Sequence, residues 1–162
     1  MNELSLKDFD ILSQAEKDEA VSLLNRYEQL ESQKSCHKDF LSFVKYMWGD
    51  AFISGRHHKI ISKKFNKIAQ GKLKRLIVCL PPRHSKSEFA STYLPAWMMG
   101  LNGALKIIQC THTAELAVRF GRKVRNLIDS DDFKTIFPNL RLQADNKSAG
   151  RWTTNQEGES FY

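Results

Sequence analysis

Lys86 and Ser87 are the side chains best placed to do chemistry, because they follow the apolar run Leu76-Ile77-Val78-Cys79-Leu80 and the short loop Pro81-Pro82-Arg83-His84-Ser85. This order predicts a strand, a tight loop and a helix that begins at the lysine. A helix start offers unpaired backbone N–H groups and a partial positive charge, so an ammonium and a hydroxyl there suit a nucleoside triphosphate with its magnesium ion. Against the phosphate-loop pattern G-x-x-x-x-G-K-S/T, residues 80–87 put Lys86 and Ser87 in place and set Leu80 and Ser85 where glycines stand. With ATP and Mg2+ as ligands, Lys86 pairs with the β- and γ-phosphates and the Ser87 hydroxyl ligates the metal. Backbone N–H groups of His84, Ser85, Lys86 and Ser87 form the cradle.

The strand that must carry this loop is read at 75–80, where unbroken apolar character suits burial on both faces. The helix after the loop is read over 86–97, bent or ended near Pro95. Asn102-Gly103 turns the chain into a second apolar strand at 105–110. A helix over 113–128, capped near Thr111 or Thr113, sets Leu116, Ala117, Phe120, Val124, Leu127 and Ile128 at helical spacing. Strand, helix, strand, helix with right-handed crossovers predicts an α/β fold, a parallel sheet flanked by helices.

Upstream, a helix at 39–48 places Phe40, Phe43, Val44 and Met47 on one face. Another at 56–70 turns His57, Ile61, Phe65 and Ile68 inward and its lysines outward. Residues 1–35 read as a separate N-terminal helical segment, with Ser13 and Glu16 spaced as a capping box. Its apolar stripe of Ala20, Leu23, Leu24, Tyr27 and Leu30 is expected to bury against the core of the chain or against a partner protein. Downstream, Asp129, Asp131 and Asp132 read as helix caps. Phe137-Pro138 closes a short helix, and 141–162 reads as short strands around a polar turn at 145–150.

The chain of 162 residues is 41% hydrophobic and 27% charged, ordinary for a globular domain. Its three cysteines, Cys36, Cys79 and Cys110, have no paired spacing, which fits a reducing cytoplasmic compartment, and Cys79 and Cys110 are expected in core strands. No signal peptide or membrane span is read. Net charge is +7, yet ten positive and no acidic residues lie between Asp50 and Glu88, so the rest of the chain sums to −3. Such a field is either a solvated lysine face or a surface for a polyanion, a nucleotide or DNA. The adjacent pair His57-His58 cannot point one way from a helix and makes a poor metal site.

The words around the loop carry a resemblance. Pro81-Pro82-Arg83-His84-x-Lys86-Ser87-Glu88 after an apolar strand resembles the deviant Walker A of phage terminase large subunits, the ATP-driven motors that package viral DNA. Phe40-Leu41-x-Phe43-Val44 and Gly55-Arg56-His57-His58-Lys59-Ile60-Ile61 upstream are similar to the same family. So are Thr113-Ala114-Glu115-Leu116-Ala117, Phe120-Gly121-Arg122-x-Val124-Arg125-Asn126-Leu127-Ile128, Phe137-Pro138 and Ala149-Gly150-Arg151-Trp152-Thr153 downstream. The likeness covers residues 36–162 and implies the N-terminal half of a P-loop ATPase domain.

By that resemblance Arg83 stands where the family carries an arginine that senses or stabilises the γ-phosphate, an ion pair with a carboxylate being the alternative. His57 and His58 lie at the adenine end, where they touch the base or pack the helix start. The family has glycine where this chain has Ser85, and serine costs about 1 kcal/mol in left-handed geometry. Walker B acids, the catalytic glutamate and the nuclease domain of the family are not among the 162 residues, so this chain alone is expected not to turn ATP over. Implied partners are double-stranded DNA, a portal protein, a small terminase subunit and a chain that supplies the missing half. Alternatives are a truncated prophage remnant or split-gene half that binds without catalysis, and another P-loop DNA translocase.

Overall fold

The computed structural model describes residues 13–147 and 151–161, so residues 1–12 of the N-terminal segment, and Ala149 and Gly150 of the resemblance, lie outside the described residues. It divides into two units, Met1–Lys34 and Ser35–Tyr162. Helix α1 (Gln14–Lys38), whose last four residues belong to the second unit, opens on the expected capping box: the Ser13 N–H donates to Glu16 Oε2 at 2.8 Å and the Glu16 N–H to Ser13 Oγ at 3.4 Å. Nothing within the first unit covers its apolar stripe, where Leu23 is 60% and Tyr27 63% exposed. Among the described residues of that unit α1 stands alone, and a lone helix has nothing within the unit to cover one face.

The second unit is built on an aromatic core. Helix α2 (Phe40–Trp48) is N-capped by Asp39, whose carboxylate accepts from the Ser42 N–H at 2.9 Å. Phe40 meets Phe65, Phe89 and Trp97 edge-on at ring-centroid distances of 5.3, 5.6 and 5.5 Å, while Phe43 packs on Phe133 and Phe137. Trp97 buries its indole by donating to the Cys36 carbonyl at 2.7 Å. Helix α3 (Arg56–Ala69) buries His58, Ile61, Ser62 and Phe65, so His58 and not His57 is the inward histidine. Asn66 locks α3 to α2, accepting from the Phe40 N–H and donating to Asp39, each at 2.8 Å.

After the loop the chain is helical over 86–101, here α4, with a π turn at Phe89–Tyr93 between α-helical pieces Lys86–Glu88 and Leu94–Leu101. Pro95 does not end it. The π turn widens the ladder so that the Leu94 N–H reaches the Phe89 carbonyl, and the Ser91 carbonyl opposite the missing proline N–H accepts from Gln109 Nε2 at 3.0 Å. Helix α5 (Ala114–Asp129) is capped by Thr113, which accepts from the Leu116 N–H. Helix α6 (Asp131–Ile136) is capped by Ser130 and not by an aspartate; Asp131 and Asp132 occupy its first turn, where negative charge suits the helix dipole.

The sheet is mixed, not parallel. Strands β1 (Lys106–Ile108), β2 (Leu142–Lys147), β3 (Arg151–Thr154) and β4 (Glu159–Phe161) lie in the order β1-β4-β3-β2, with β1 and β4 parallel and the other pairs antiparallel. β3 and β4 form a tight hairpin, and β4 pairs in parallel with β1 across a crossover that carries α5, α6, β2 and β3. At the tip of the hairpin a Cβ on Gly158 would stand 2.1 Å from the Gly103 carbonyl, so only glycine fits. Asp145 to Lys147, read as turn, belong to β2.

The segment 75–80 departs furthest from expectation. It is extended but joins no strand, and only Leu76, Val78 and Leu80 pack against the core. Ile77 is 90% exposed and Cys79 is exposed, as is Cys110 beyond β1; neither cysteine is a core residue. Helices α3 and α4 cover one face of the segment, and among the described residues nothing covers the other. No helix of the described residues is long and apolar enough to cross a membrane.

Candidate phosphate-binding site

The loop between the extended segment and α4 holds two non-glycine residues in the left-handed region, Arg83 at φ 63° and Ser85 at φ 57°, ψ 13°. A side chain in that region costs roughly 1–2 kcal/mol through the approach of Cβ to the following carbonyl. Pro81 and Pro82 stiffen the approach, and His84 Nδ1–H donates to the Pro82 carbonyl at 2.8 Å, closing the loop on itself. The Ser85 carbonyl then accepts from the Phe89 N–H at 2.9 Å and starts α4.

No side chain caps that start, so its leading N–H groups are left to a ligand. Leu80 to Arg83 and Ser85 to Glu88 line an open cleft of about 410 Å³, within the ~300–1,000 Å³ common for small-molecule sites. Arg83, Lys86 and Ser87 are exposed, and neither cation has an ion-pair partner among the described residues. Glu88, the one carboxylate lining the cleft, pairs with Lys123 of α5, a neighbour that spacing in the sequence gave no means of finding.

The two histidines divide. His58 is 6% exposed and packs against Phe52 and Phe89, stacked on the latter at a centroid distance of 4.9 Å. Its Nδ1 accepts from the Gly55 N–H at 3.0 Å, so the neutral ring carries its proton on Nε2, which is buried without a partner. Burial, then the neighbouring His57 and His84, hold its pKa below the usual 6.5. His57 stands 5.5 Å from the His84 ring and lines a groove of about 310 Å³ with Ile60, Lys64 and segment 76–80. The structure thus brings Arg83, His84, Ser85, Lys86, Ser87 and His57 to one end of α4 and leaves His58 in the packing beneath them.

Chemically the arrangement offers N–H donors, an ammonium, a guanidinium and a hydroxyl to an anion. Among the described residues no group of three His, Cys, Asp or Glu is arranged to hold a metal ion. A single hydroxyl such as that of Ser87 fits a magnesium ion that arrives with phosphate oxygens and waters as its other ligands. No family model, no curated protein and no solved structure matches this chain.

Proposed function

We propose that the loop 81–87 binds the phosphates of ATP with Mg2+, and that the chain is the ATP-binding portion of a phage terminase large subunit, the motor that drives double-stranded DNA into a procapsid. The observation that carries this reading is the left-handed backbone of Ser85 directly before Lys86 and an uncapped helix start. That is the conformation for which the phosphate-loop pattern reserves glycine, and the chain keeps it at an energetic cost, as residues at ligand sites do. Lys86 takes the β- and γ-phosphates, Ser87 the metal, and Arg83 the γ-phosphate.

Hydrolysis needs a carboxylate free to order a water. Glu88 is held by Lys123, so the chain by itself binds without turnover. A second reading, a split-gene half or prophage remnant that binds without catalysis, draws support from the bare segment 75–80.

Calorimetric titration with Mg·ATP, ADP and AMP tests the proposal. ATP and ADP should bind more tightly than AMP, and Lys86→Ala should weaken ATP at least tenfold, the loss of a charge-assisted bond worth ~1.5–3 kcal/mol. Equal binding of all three nucleotides, or an alanine variant that binds like the parent, would overturn it.

A further inference from the structure

Arg56, Lys59, Lys63 and Lys67 recur on α3 at spacings of three and four, opposite the buried stripe of His58, Ile61 and Phe65. All four are exposed, and among the described residues none has an ion-pair partner. The row is about 16 Å long at 1.5 Å per residue. No acidic residue occurs between Asp50 and Glu88 to neutralise it. The helix is rigidly held, since Asn66 ties it to Asp39 and Phe40 and its apolar side fills the core. None of the four stripe residues lines the cleft of the loop.

We infer that this face of α3 is a docking surface for the phosphodiester backbone of duplex DNA. A straight row of cations on a fixed helix matches a rigid rod that carries one negative charge per ~1.7 Å of axis. A membrane surface fits less well, because a helix that binds one inserts its apolar face, and that face of α3 is already buried. The surface contacts phosphates and not base edges, so it binds without sequence preference, as a translocating motor requires. The inference deepens the motor reading by giving its polymer a place, and rests on that reading for the choice of duplex DNA.

The test is fluorescence anisotropy of labelled 30-base-pair duplexes of DNA and of RNA across a salt series. It compares the parent chain with Lys59→Gln/Lys63→Gln/Lys67→Gln and with a control of equal charge loss, Lys17→Gln/Lys34→Gln/Lys38→Gln. Four phosphate contacts predict a slope of log K against log salt near −3.6, flattened by about 2.7 in the α3 triple variant and little changed in the control. Equal loss in both triple variants, no duplex binding, binding of RNA alone, or binding only to phosphatidylserine vesicles would overturn the inference. A fluorescent Mg·ATP analogue titrated into the same samples separates the two claims. Duplex binding that depends on α3, with no nucleotide bound by the parent, sinks the phosphate loop and leaves the stripe; nucleotide bound equally by parent and triple variant, with no duplex bound, does the reverse.

Discussion

Ser85 and His58 show how much a single residue type reveals. A serine at the glycine position of a phosphate-loop pattern implied either a different backbone or a strained one, and the structure has the strained one, φ 57°. Arg83 gave no such sign, because arginine stands in many loop conformations and its φ of 63° follows only from how the turn closes. His57 was read as the inward histidine, but α3 buries His58, whose ring packs against Phe52 and Phe89. That burial has a consequence for stability. His58 is kept neutral in the folded chain with its pKa below 6.5, so the unfolded chain takes up the proton first as pH falls. Stability is therefore full above that pH and is lost as pH drops through 6.5 towards the folded value. Urea midpoints should fall between pH 7.5 and 5.5 in the parent, and the fall should be smaller in His58→Gln, whose amide can still accept from the Gly55 N–H. A pH profile identical in the two proteins would refute this account.

Helices were the legible elements, because period-3.6 patterns and caps such as Ser13 and Thr113 act locally. Strands were less so. Their state depends on a neighbour, and apolar sequence at 75–80 says only that the segment suits one. In the structure it packs Leu76, Val78 and Leu80 on the helices and leaves its backbone without a ladder, with open grooves on either side. Pro95 misled in the other direction: a proline that should interrupt α4 is absorbed by a π turn and by Gln109. An extended segment without a ladder exchanges its amides freely. Hydrogen exchange should thus show residues 74–80 exchanging orders of magnitude faster than α2 or α5, and Ile77→Lys should lower binding of a hydrophobic dye with little change in thermal midpoint. Slow exchange over 74–80 would mean that the segment is paired in solution.

For the whole molecule, composition identified an ordinary globular chain and a charge concentrated in one stretch, and both are visible as an aromatic core beneath α3 and a row of cations on its outer face. The α/β class was legible; the mixed sheet was not, because the β3–β4 hairpin depends on Gly158 approaching the Gly103 carbonyl, a contact 55 residues apart in the chain. The central claim is that a strained loop before α4 is shaped for phosphate. Equilibrium binding of a fluorescent ATP analogue with Mg2+, compared among the parent, Ser85→Gly and Lys86→Ala with hydrolysis followed in the same samples, tests it most directly. Glycine relieves roughly 1 kcal/mol at φ 57° in the free and the bound chain alike, so Ser85→Gly should raise folding stability by about that much and still bind, while binding should fall at least tenfold in Lys86→Ala and proceed without turnover in all three. Binding that is absent from every variant, or unchanged in Lys86→Ala, would contradict the account.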